Sequence, residues 1–97
     1  MRVRFEWDEA KNQANVRKHG IDFDQASRVF FDPLHVCSFE SVQGGEARLQ
    51  SVGKVAGLDL ILVIHVDRDE HDVEVIRIIS ARRPTKHERR HYENENG

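Results

Sequence analysis

A single cysteine, Cys37, in 97 residues excludes an intrachain disulfide and a thiolate zinc cluster, as expected of a chain kept in a reducing compartment. It sits in an apolar run and reads as a core filler. No stretch approaches the roughly 18 uninterrupted apolar residues of a membrane helix. Segment 1–6 has charges where a signal peptide would have its apolar run, so a cytoplasmic location is expected. An excess of one charge is lacking too: 15 Lys and Arg stand against 17 Asp and Glu, a formal net charge of -2. That balance alone does not mark a nucleic-acid binder. With 38% hydrophobic and 33% charged residues, the composition is that of one small soluble domain over 1–97. Its core must be thin, and a partner covering apolar surface would help it.

The charges that are present are unevenly placed. Between Arg82 and Tyr92, Arg82, Arg83, Lys86, Arg89 and Arg90 face only Glu88, so a basic end adjoins an acidic remainder. The first regular segment is helical, from Glu9 to Lys18: Asp8 can accept the free amides of the first turn, and Gly20 supplies a left-handed stop. Lys18 and His19 suit the negative end of the helix dipole, which accounts for them without a further role. A second helix opens at Asp22 with Gln25 as its capping-box partner, buries Ala26, Val29 and Phe30, and ends at Asp32-Pro33. The periodicity then turns strand-like, over 34–39, 48–55, 58–66 and 73–81, with 67–72 as a charged turn. Connections this short give an antiparallel meander. Thr85 and Glu88 form a capping-box pair for a last helix over 86–94, and 94–97 reads as a frayed tail. The expected fold is α+β: two N-terminal helices packed on a four-stranded antiparallel sheet, then a short C-terminal helix.

Three groups of residues invite chemistry. Strict alternation puts Arg77 on one strand face with Val75 and Ile79, and an arginine there needs solvent, a carboxylate or a phosphate. With Arg82 and the basic helix it makes a candidate phosphate site; the competing reading is a solvated face with a structural ion pair. His65 interrupts the apolar third strand and would lie laterally near Arg77, where it could act as general acid or base. The same pattern fits a partly buried histidine whose nitrogens are satisfied internally. The segment His87-Glu88-Arg89-Arg90-His91 matches the zinc-peptidase spacing H-E-x-x-H. Its arginines would repel a dication, Glu88 is committed as a cap, and no third ligand is evident, so a zinc site is not expected.

Phe5-Glu6-Trp7-Asp8-Glu9-Ala10-Lys11, Asn15, Lys18-His19-Gly20-Ile21, Phe23 and Phe30-Phe31-Asp32-Pro33 stand near the start. Arg77-Ile78-Ile79-Ser80-Ala81-Arg82, Thr85, Glu88-Arg89 and Tyr92-Glu93 stand near the end. With these motifs the sequence resembles the BrnT family, toxins of bacterial type II toxin-antitoxin pairs related in fold to RelE ribonucleases. The resemblance implies a RelE-like ribonuclease that blocks translation and is neutralised by a ribbon-helix-helix, BrnA-like antitoxin whose complex represses its own operon. Operator DNA would then be met only through the antitoxin. The acidic hairpin at 67–74 and the two histidines of the last helix depart from the usual pattern.

A metal-free ribonuclease must activate a ribose 2′-hydroxyl, stabilise a phosphorane and protonate the leaving oxygen. On this reading Arg77 and Arg82 are the electrostatic clamp and His65 the proton-transfer group. Arg48, Arg83, Arg89 and Tyr92 meet the RNA backbone or stack on bases, with no cofactor or metal. The alternative is a non-catalytic module whose basic C-terminal helix binds a protein or nucleic acid.

Overall fold

The computed structural model describes residues 2–97. Its first element is a strand, β1 (Arg2–Glu6), in which only Val3 and Phe5 are apolar. Arg2, Val3, Arg4, Phe5 and Glu6 alternate polar and apolar strictly, a strand signal that the expected four-stranded fold leaves out. The strand is held by parallel pairing to the last strand, Arg4 opposite Val75 and Glu6 opposite Arg77, and by Phe5 packing on the core. Helix α1 (Glu9–His19) begins where the Asp8 carboxylate accepts from the Ala10 and Lys11 amides, and Gly20 ends it at φ 72°. Helix α2 (Phe23–Ser27) carries the Asp22–Gln25 capping box and tightens into a 3-10 turn, Arg28–Phe31.

Strands β2 (Val36–Gln43), β3 (Glu46–Val55), β4 (Asp59–Glu70) and β5 (Val73–Arg82) form the expected antiparallel meander, followed by α3 (Lys86–Asn96). The whole sheet is nevertheless five-stranded and mixed, in the order β1-β5-β4-β3-β2. The expected charged turn also shrinks. Asp67 to Glu70 pair with Ile76 to Val73, and only His71 and Asp72, both at positive φ, make the reversal. A two-residue loop with both residues left-handed matches the twist of the flanking strands. The tail expected to fray belongs to α3: the Asn96 amide donates to the carbonyls of Leu34 and Tyr92.

One irregularity decides which way β5 presents its side chains. Ile64 pairs with Ser80 but His65 pairs with Ile78, leaving Ile79 as an unpaired bulge. A bulge breaks the alternation, so Arg77, Ser80 and Arg82 all take the same face. Simple counting had put Arg77 and Arg82 on opposite faces.

The other face carries the main core, where Ile21, Phe23, Ala26 and Val29 pack on Val55, Ile61, Val63, Ile78 and Ala81. Gly53 permits this approach, because a Cβ there would stand 2.8 Å from the Val29 carbonyl oxygen. On the Arg77 face, α3 covers Val52, Leu60 and Leu62 through Tyr92. That face is therefore only partly open, not free over its whole extent as two N-terminal helices alone would leave it.

Candidate functional site

His65 is on the core face, 1% exposed, and Arg77, opposite Val66, is on the other. The expected juxtaposition of the two on an open face does not occur. Instead the imidazole Nδ1 meets Asp67 Oδ1 at 2.6 Å, Nε2 meets Ser51 Oγ at 2.9 Å, and the ring lies edge-on to Phe30. The internally satisfied histidine is the arrangement that forms. Burial opposes its charge, but the hydrogen bond to Asp67 and the Cys37 thiol beside it outweigh that and hold the imidazole up to about 9. Cys37 is exposed rather than a core filler, and the same imidazole draws its thiol below the usual range.

A folded-state value above the unfolded one means that protonated His65 contributes its full stability below about pH 6.5 and loses it as pH rises toward 9. Thermal melts from pH 6 to 9.5 are expected to show a fall worth up to about 3 kcal/mol. The fall should flatten in Asp67→Asn. An equally steep fall in that variant would show that another group titrates.

The arginines expected to act together divide into three sets. Arg48 and Arg77 lie on the open face on either side of the β4 strand. Each has a buried Nε with no hydrogen-bond partner, while one Arg77 Nη donates to Glu46 at 2.7 Å. Arg82 is held in a two-point fork by Glu88, at 2.8 and 3.0 Å. This guanidinium holds the Glu88 carboxyl down to about 2. Arg83 donates to the Leu58 carbonyl, Arg89 to Asp59 and the Tyr92 hydroxyl to Asp32. These last three fasten α3 and the link before it to the β3–β4 turn and to the 3-10 turn, and Tyr92, on α3, is partly buried against Val52, Leu60 and Leu62.

A further group of basic side chains gathers elsewhere. Because β1 pairs with β5 only as far as Arg77, the outer edge of β5 beyond that point is left to α1. Asn15 closes it by bonding both the amide and the carbonyl of Ala81. Alongside runs a cleft of about 440 Å³ lined by Lys11, Asn15, Lys18 and His19 of α1 and by Ile79, Ser80 and Arg82 of β5. No carboxylate lines it. Lys11, Asn15 and Lys18 are four and three residues apart and so share one helical face. That spacing was the available signal for residues that the helix dipole had seemed to explain fully. The H-E-x-x-H histidines line a separate pocket, with Glu88 bound to Arg82 and capping Thr85. Among the described residues no three His, Cys, Asp or Glu side chains assemble into a metal-holding group.

The Brucella abortus ribonuclease toxin BrnT, known from a crystal structure, matches this fold with a TM-score of 0.61 and 28% sequence identity, over 89% of this chain and 100% of that one. A family model described as ribonuclease toxin, BrnT, of type II toxin-antitoxin system matches residues 7–88. The chain belongs to the BrnT family. No curated protein sequence matches it. The matched segment holds α1 and β2 to β5, and so the lining of the basic cleft, and leaves out β1 and most of α3. As a BrnT toxin of a type II system, the chain has a protein antitoxin as its partner. No described helix is long and apolar enough to cross a membrane.

Proposed function

We propose that this BrnT family member is a metal-independent endoribonuclease that stops translation by cutting RNA, and that a ribbon-helix-helix antitoxin neutralises it and carries it to operator DNA. One observation carries the reading: the bulge at Ile79 turns Arg77, Ser80 and Arg82 to one accessible face beside the cations of α1. From Arg77 to Arg82 is about 13 Å along the strand, a length over which a single RNA strand can run. In the reaction the ribose 2′-oxygen attacks the adjacent phosphorus and the bond to the 5′-oxygen breaks. A 2′,3′-cyclic phosphate and a 5′-hydroxyl result. Arg82 and Lys18 supply the field that stabilises the added phosphorane charge, and His19, the imidazole of the same cleft, exchanges the protons. Arg48 and Arg77 hold neighbouring phosphates through the outer Nη–H groups of their guanidinium forks. His65, enclosed in the core, takes the part of a structural ion-pair partner, and Arg83, Arg89 and Tyr92 secure α3.

The non-catalytic reading is favoured by one fact, that Arg77 and Arg82 already face Glu46 and Glu88. Purified protein incubated with RNA in EDTA separates the two. The expected products carry 2′,3′-cyclic phosphate and 5′-hydroxyl ends. RNA that is bound with steep salt dependence yet left intact would favour the binding module.

A further inference from the structure

Beside the basic cleft, the open face contains a pocket of a different chemical character. It measures about 300 Å³ and lies between the β2–β3 ladder and α3, with Val36, Val52, Ser38 and Gln50 on the sheet side and His87 and His91 on the helix side. The two histidines are four residues apart and so face it from successive turns. Ser38 and Gln50 are direct cross-strand partners. The side chains of His35, Ser41 and Ser51 nearby are all engaged in hydrogen bonds. The side chains of Ser38 and Gln50 make none among the described residues. The one charged group on the wall, Glu88, has its oxygens taken by Arg82 and by the Thr85 amide, and its negative charge disfavours a phosphate there.

We infer that this pocket receives a single unstacked nucleobase of the RNA and sets where the chain is cut. The inference rests on the ribonuclease reading and adds the specificity element to it. Imidazole rings on one side and valine side chains on the other give the flat, apolar walls between which a base stacks. The glutamine amide and the serine hydroxyl provide donors and acceptors for its edge. Adenine stacks through two rings where uracil has one, and a glutamine amide pairs bidentately with its N6–H and N7. The location fits as well: Gln50 pairs with Ile64, which pairs with Ser80 of the basic cleft, so the two sites are two strand spacings, about 10 Å, apart. A strand whose phosphates follow β5 can therefore reach across β4 with a base.

The test uses full-length protein and short 2′-O-methyl oligouridylates, which have no free 2′-hydroxyl and cannot be cleaved by this route, with or without one adenosine. Fluorescence anisotropy is expected to show the adenosine-containing strand binding about tenfold more tightly to the wild type. The advantage should vanish in Gln50→Ala and fall in His91→Ala, an exposed position whose truncation leaves the core intact. Equal binding of both strands by the wild type, or the same ratio in Gln50→Ala, would overturn the pocket assignment. Cleavage of unmodified RNA is read separately. An uncut RNA would sink the ribonuclease reading while the adenosine preference still supported the pocket.

Discussion

Arg82→Ala is expected to lower RNA cleavage by about a hundredfold or more, because removing one donor aimed at developing charge costs on the order of 2–4 kcal/mol of transition-state stabilisation. Arg77→Ala should also abolish growth arrest, acting through weakened phosphate binding on the open face. Circular dichroism of both variants should remain native. Arg82 needs a control, since its fork with Glu88 also joins β5 to α3. Glu88→Gln supplies it: glutamine can still serve the capping box but no longer neutralises the guanidinium. If Arg82 meets RNA, Glu88→Gln keeps or gains activity while Arg82→Ala loses it. If Arg82 only fastens the helix, the two variants lose stability and activity together, and the proposed reacting centre is withdrawn.

What the sequence could disclose follows from how far apart the interacting groups are. Asp8 over the first turn of α1, the Asp22–Gln25 box and the Thr85–Glu88 box each close within three residues, and all three form as read. The meander from β2 to β5 reaches farther, but each strand still pairs with its neighbour in sequence. β1 carries a legible alternation that the expected fold omits, but its parallel partner, residues 73–77, lies far along the chain, so nothing local says where it pairs. The bulge at Ile79 was hidden for another reason. Its side chain is as apolar as its neighbours', and only the register against β4 shows that it is the extra residue. From that one slip came the mistaken faces of Arg77 and Arg82.

His65 and the α1 cations erred in opposite directions. A histidine amid Ile61, Val63 and Ile64 looked chemically exceptional, yet Ser51 and Asp67 satisfy it inside the core. Lys18 and His19 looked fully explained by a helix end, and a sufficient local explanation concealed their position beside Arg82. In a chain with a thin core, a polar residue within an apolar strand is more often holding strands together than performing chemistry. The cations that remain unpaired on a surface recess are better candidates.

Asn15→Ala is expected to be the most destabilising single change outside the apolar core. Asn15 is 6% exposed and donates through Nδ2 to the carbonyls of Ile21 and Ala81, while its Oδ1 accepts from the Ala81 amide, with distances of 2.9, 2.9 and 3.1 Å. The side chain thus takes the place of a strand neighbour where β1 has ended, and it also fixes the turn from α1 into α2. Alanine would leave three enclosed backbone groups unpaired, at about 1–3 kcal/mol for each one that water cannot reach. A loss of about 3–5 kcal/mol in urea melts is therefore expected, a large fraction of a small domain's total stability. Asn15→Asp, which keeps the acceptor to Ala81 but loses the donors, should also destabilise, because it places a carboxylate against two carbonyl oxygens. A loss below about 1 kcal/mol for Asn15→Ala would mean that water replaces the amide, and that the edge of β5 beneath the basic cleft is open to solvent instead of sealed by α1.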